Sequence, residues 1–286
     1  MPPTLTGLLQ RTVDRLRGGR DAPSLPYPQP VVIFGTGGSG TRVLKILTDE
    51  SGYYLGTNLN RAGDALDIGH FMRRWLDRYL GKTDWIGTMV SGSDKRRFGY
   101  PLAMAEDFAD TLSDHREAID DPQARWGWKA PRTILIFPFV HELFPGMRAI
   151  HLVRDGRDMA YSKNQQQMRR HAPQLLDHSQ NEQPEHLRSI AFWARVNLAA
   201  ARYGETKLGG NYLRMRYEDV CRDPGTVAVQ LLDFIDSSAS QESMREVAME
   251  KIRPSTSIGR WREHDRAETE ALEEVGGEAL RKFGYA

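Results

Sequence analysis

The apolar positions of this chain fall into short β-branched runs that alternate with longer stretches of helical period. Val31–Phe34 is one such run, followed at once by a glycine-rich turn. Val43, Leu44, Ile46 and Leu47 then mark the apolar side of a helix from about 41 to 50. Leu66, Phe71, Trp75 and Tyr79 give a stripe to a helix over 62–80, and the helical period returns over 102–119. The pattern predicts a short strand over 126–129, a helix over 134–144 kinked by Pro138, and a strong strand over 147–153. A helix is expected to start near Gly156. Ile190, Trp193, Val196 and Ala200 define another over 186–203, and 212–217 reads as a strand. Asp223-Pro224 is a start signal for a helix over 225–235, and helix, polar loop and helix finish the chain. Residues 84–101 read as a long surface loop and 174–184 as a polar excursion. Strands alternating with helices predict an α/β fold with a mainly parallel central sheet flanked by helices, its ligands at the carboxyl ends of the strands.

Composition narrows the function classes. The 286 residues suit one large domain, expected over 31–286, behind a proline-rich arm over 1–30 with a short amphipathic helix at 5–16. A net charge of +1 argues against nucleic acid as a partner, so any anion site must be local. No apolar run approaches the ~18 residues that cross a bilayer. No secretory apolar segment precedes the arginine-rich stretch 11–20, so the expected compartment is the cytoplasm. The single cysteine, Cys221, excludes an internal disulfide and a multi-thiolate metal site.

Three segments carry anion chemistry. In VVIFGTGGSGTRVLK (31–45) a strand ends in Gly35, Gly37, Gly38 and Gly40 and runs into a helix. Such a turn aims backbone N–H groups into one concavity at a helix N-terminus, where the dipole adds positive charge. The G-x4-G spacing is that of a triphosphate-binding loop, but Thr41-Arg42 replaces the expected Lys-Ser/Thr pair. The second segment, AIHLVRDGRDMAYS (149–162), delivers Arg154 at a strand end and carries Ser162 on the helix beyond. Arginine offers a rigid bidentate fork for phosphate; pairing with Asp155 and Asp158 as surface salt bridges is the alternative, above all for Arg157. The third, STSIGRWR (255–262), crowds hydroxyls, a glycine and two arginines around Trp261. It suits a flap over an anionic nucleotide, or a solvated loop with one anchoring tryptophan.

Together with LRMRYEDV (213–220) and Asp223-Pro224, these segments resemble the sulfotransferases that use 3′-phosphoadenosine 5′-phosphosulfate (PAPS). The resemblance spans roughly 31–262 in consistent order, and VRDGRD is similar in wording to the tyrosylprotein and other Golgi-type and bacterial branches. It implies a P-loop-like sulfotransferase fold, sulfuryl transfer to a hydroxyl acceptor, and no metal. It also implies that Gly37, Gly38, Ser39, Gly40, Thr41 and Arg42 hold the 5′-phosphosulfate, and that Arg154 and Ser162 hold the 3′-phosphate. Tyr217 would lie near the adenine, with Ser257, Gly259, Arg260 and Trp261 in the closing flap. One departure concerns the usual cation just before the Ser-Gly-Thr, where this chain has Gly38. Lys129 in WGWKAPR is the first choice to supply that charge, ahead of Arg42, with Arg132 in reserve; a snorkelling lysine packed on Trp128 is the bland reading. For the general base Asp64 leads, with His70 second, and Asp67 would share a helix face with Asp64. His115, His171, His178, His186 and His264 are expected to be surface residues. The acceptor is expected to be a small metabolite, lipid or sugar, walled by 84–101 and 163–185. A P-loop kinase or NTPase, and a non-catalytic adenosine-bisphosphate-binding protein, are the rivals.

Overall fold

The computed structural model describes residues 28–82, 84–91, 102–253 and 255–286, so the arm and helix expected within 1–27 lie outside the described residues. Among the described residues the sheet has four strands, β1 (Val31–Phe34), β2 (Gly127–Lys129), β3 (Arg148–Val153) and β4 (Tyr212–Arg216), in the order β2-β1-β3-β4. Every pairing is parallel. Val32 lies between Trp128 and Ala149, and Ile150 lies beside Leu213. Both faces of β1 are covered, which is why it is a continuous apolar run. Val32 and Phe34 enter one core with Phe71, Phe108, Trp128 and Phe139, while Val31 and Ile33 enter another with Leu44, Leu47, Ile150 and Leu231. The strand order changes direction at β1 and β3, so their carboxyl ends open on a common crevice.

The flanking helices are α1 (Arg42–Glu50), α2 (Leu66–Lys82), α3 (Trp85–Ser91), α4 (Leu102–His115), α5 (Phe137–Leu143), α6 (Gly156–Ala160), α7 (Gln166–Leu175), α8 (His178–Asn181), α9 (Glu185–Tyr203), α10 (Tyr217–Arg222), α11 (Pro224–Ile235), α12 (Gln241–Lys251) and α13 (Arg266–Lys282). Asp223 caps α11 by accepting the Thr226 N–H at 3.0 Å, with Pro224 in the first turn, as the start signal predicts.

Several expectations are corrected. The helix expected over 134–144 is a 3₁₀ turn, Pro131–Ile136, followed by α5, and Pro138 sits in the first turn of α5, where its missing N–H costs nothing. Part of the loop expected over 84–101 is the helix α3, anchored by Trp85, whose indole N–H donates to the Leu135 carbonyl at 2.8 Å; residues 92–101 lie outside the described residues. Asp64 precedes α2 and is not helical, so it shares no helix face with Asp67. His115 and His171 are buried, not surface residues. No described helix is long and apolar enough to cross a membrane.

His151, on β3, is fully buried and satisfied as a neutral ring. Its Nε2 lies 2.8 Å from Asn197 Oδ1 and its Nδ1 lies 2.7 Å from the Tyr212 hydroxyl. Burial lowers its pKa to about 4. The unfolded chain, with histidine near 6.5, therefore binds the proton first, so stability falls as pH drops from about 6.5 towards 4. Urea unfolding at pH 5 is expected to give a free energy about 2 kcal/mol below that at pH 7 from this residue, and His151→Asn should narrow the difference. Equal stability at the two pH values would refute the assignment.

Candidate active site

The turn between β1 and α1 lies at the crevice and is shaped by its glycines. Gly38 and Gly40 have φ of 95° and 89°, and a Cβ on Gly40 would meet the Tyr217 ring at 2.4 Å. The Ser39 N–H closes the turn on the Thr36 carbonyl at 3.1 Å, and the Ser39 side chain is tucked against Gly35, beneath the turn and away from the crevice. The Gly38, Gly40 and Thr41 N–H groups have no acceptor among the described residues. The Gly37 N–H is held by Gln167 Oε1 from α7, and the buried Gln167 Nε2 has no partner. These donors at the start of α1 form an anion cradle.

A cavity of about 610 Å³ opens from this cradle. Lys129, the last residue of β2, also lines this cavity; it is 2% exposed and ion-paired with Asp64, which is 27% exposed. Lys129 Nζ also donates to the Ala62 carbonyl at 2.8 Å. The second Asp64 oxygen accepts from Asn60 Nδ2 at 2.9 Å, and Asn60 Oδ1 accepts the Ala62 and Asp64 N–H groups at 2.8 and 2.9 Å. The segment 60–65 is thus strapped to the end of β2. Burial lowers the Lys129 pKa; Asp64 works against that shift, while Arg42 and Lys45 add to it.

Arg154 follows β3 and is buried. Its Nη2 donates to the Ser257 carbonyl at 2.7 Å and hydroxyl at 2.8 Å, its guanidinium lies 5.0 Å from the Tyr217 ring, and its Nε has no partner. Burial and Cys221 push the Tyr217 hydroxyl up to about 12. The 255–262 segment is fastened through Asp158, which accepts the Gly259 N–H at 2.8 Å and the Trp261 N–H at 3.2 Å. Arg260 Nε donates to the Ser257 carbonyl at 3.2 Å. Trp261 lies flat between Arg157 and Arg262, 3.9 and 4.3 Å from its ring.

Three site expectations change accordingly. Arg157 and Asp158 are not surface salt bridges: both are buried, and Arg157 holds Asp155 and Glu273 at 2.9 and 2.6 Å. Ser162 is not on the helix, because α6 ends at Ala160; it nevertheless lies beside the cradle, its hydroxyl 3.3 Å from where a Gly38 Cβ would be. His70 is exposed on α2 and lines no part of the cavity, whereas Gly69 and Arg73 of that helix do. Asp67 faces away towards Asn58 and the buried His115, 3.5 Å from its Nδ1. Arg42 is exposed at the cavity edge, and Arg132 lines its far end. Gln167 and Asn60 escaped the sequence reading. The repeated glutamines 165–167 and the Asn-x-x-Gly-Asp turn were their available signals.

Parallel strands, a glycine turn at the switch point and no loop lysine define a P-loop-like α/β protein. A model described as the sulfotransferase family matches residues 30–241, and the chain belongs to that family. It is an enzyme of sulfuryl transfer by that membership. The structure is similar to the sulfotransferase STF9 from Mycobacterium avium, at 14% identity and a TM-score of 0.53, over 98% of this chain and 83% of that one. It is also similar to the sulfotransferase domain of the curacin biosynthetic pathway, at 13% identity and a TM-score of 0.51, over 91% and 99%. No curated protein sequence matches the chain.

The turn supplies its own test. Gly40→Ala meets both the positive φ and the Tyr217 ring, whereas Gly52→Ala has φ of 88° and nothing within 4 Å of the added methyl. Chemical denaturation should show Gly52→Ala losing ~1 kcal/mol and Gly40→Ala losing ~3 kcal/mol or more. Equal losses would mean that the cradle is not packed against Tyr217.

Proposed function

We propose that the protein transfers a sulfuryl group from PAPS to a hydroxyl acceptor, releasing a sulfate ester and adenosine 3′,5′-bisphosphate. The observation that carries this reading is the Lys129–Asp64 pair lining one cavity with the glycine turn. The residues fit the donor. Free N–H groups at the glycine turn would take the 5′-phosphosulfate, and the unpartnered Arg154 Nε, with Ser162 and the Ser257 flap, would take the 3′-phosphate.

In this reading the acceptor oxygen forms a bond to sulfur as the bond from sulfur to the bridging phosphate oxygen breaks. The electron pair stays on the leaving bisphosphate, and the hydroxyl proton passes to Asp64. Asp64 is the more exposed member of the pair, and Asn60 and Lys129 fix its orientation. Lys129 is nearly dry, so its charge acts strongly on the oxygens where negative charge grows. It fills the role left open by Gly38.

Two measurements test this. Adenosine 3′,5′-bisphosphate should raise the melting temperature much more than AMP does, and Arg154→Ala should weaken the bisphosphate by ~2 kcal/mol while leaving AMP binding nearly unchanged. Equal shifts with both ligands would remove Arg154 and Ser162 from the donor site. Lys129→Met should lower kcat by about two to three powers of ten with little change in bisphosphate affinity. Arg42→Met is the matched control: a large loss there with Lys129→Met near wild type would move the catalytic charge to α1. Tight bisphosphate binding without sulfuryl transfer to any alcohol or phenol would favour a non-catalytic binding protein.

A further inference from the structure

Beyond the Lys129–Asp64 pair the cavity carries two further positive charges that form no ion pair among the described residues. Arg132 follows β2 by three residues, and Arg73 stands one turn beyond Gly69 on the cavity side of α2. Among the described residues neither guanidinium has a hydrogen bond or an ion pair. Arg132 is only partly exposed, and burial lowers its pKa, with the charges of Arg170 and Arg73 pushing the same way and the more weakly acting Asp64 and Asp77 opposing them. The carboxylate on that side, Asp77, is already engaged by Arg170 at 2.8 Å. Asp64 is engaged by Lys129 and Asn60. Arg73 is exposed and Arg132 partly so, which leaves both guanidinium forks available to an anionic ligand in the cavity.

The same cavity is lined by apolar Leu66, Met72 and Pro131 together with polar Asn164 and Gln166, and Gly69 leaves a gap with nothing within 4 Å of where a side chain would start. We propose that Arg73 and Arg132 form an anion subsite in the acceptor half of the cavity, so that the acceptor is a hydroxyl compound with an apolar body and an oxyanion group, a carboxylate, phosphate or sulfate. The proposal rests on the sulfuryl-transfer reading, because it takes the hydroxyl to lie at Asp64 and the donor to lie in the glycine cradle. A guanidinium fork binds such a group bidentately, which would set both affinity and the direction in which the hydroxyl points.

The experiment separates the two readings by order of addition. Adenosine 3′,5′-bisphosphate is first titrated into the protein; no binding there would defeat the donor site and leave the arginine subsite to be judged by its own arm. 4-Hydroxyphenylacetate and its methyl ester are then titrated calorimetrically at low salt, into the bisphosphate complex and into the free protein. The acid is expected to bind about tenfold more tightly than the ester, as one charge-assisted contact provides. In Arg73→Gln/Arg132→Gln this preference should fall below about threefold, with bisphosphate affinity unchanged. Replacing the acid by the corresponding phosphate and sulfate esters distinguishes the three anions. Equal affinity of acid and ester, a preference that survives in the double variant, or binding of neither compound would each overturn the subsite. A bisphosphate affinity that falls with the double variant would instead assign the arginines to the donor.

Discussion

Everything at this site depends on one constraint: the backbone must turn from a fully buried strand into a helix within the space left by Tyr217. A strand covered on both faces cannot swing outward, and the ring beneath Gly40 leaves no room for a side chain. The turn therefore runs through left-handed glycines and closes on the Thr36 carbonyl. The result is a set of N–H groups that face the crevice because the packing gives them no other direction. Parallel pairing with β2 and β3 then brings Lys129 and Arg154 to the two sides of the same opening, since each lies at or just beyond a strand's carboxyl end.

The fold was legible to the extent that burial imposes a period. Val31–Phe34, the 147–153 run and the stripe at Ile190, Trp193, Val196 and Ala200 each report a surface that must be covered, so their elements lie close to where the pattern puts them. Short elements carry no period. The helices α3 and α10 and the 3₁₀ turn before α5 are held by particular contacts, such as the Trp85 indole on Leu135, that composition does not announce. Histidine burial was illegible for the same reason. His115 and His171 stand in polar stretches, and only the fold shows that one packs behind β2, 2.9 Å from the Gly127 carbonyl, while the other is on the buried face of α7.

At the site, side chains at strand ends were readable and those on loops were less so. Lys129 and Arg154 lie where strands deliver them, and no alternative position exists for a residue in that register. Asp64 was named on a helical argument that the structure removes, yet it meets Lys129 because Asn60 organises a tight turn around it. His70 stands second to Asp64 in the sequence reading, and the two differ in what surrounds them. One is on an open helix face, and the other is fixed by an ammonium and an amide. Arg157 shows the converse. A residue that looked superficial is a buried tie among Asp155, Glu273 and the Tyr285 carbonyl, and its far face supports Trp261.

In the proposed reading the charge pattern of the cavity lets one small site serve two anions without confusing them. The backbone cradle, the Lys129–Asp64 ion pair and the guanidinium side chains of Arg73 and Arg132 all line it. A cradle of N–H groups favours an anion through many weak, fixed donors and a helix dipole, and it discriminates by shape. Arginine forks on side chains favour an anion through full charge and can adjust to its position. Two subsites of such different stiffness suit a reaction in which the donor must be held still and the acceptor must be admitted, turned over and released. In the proposed reading the dry ammonium of Lys129 adds field near the transferring sulfuryl group, and because Asp64 balances it, that field falls off quickly with distance.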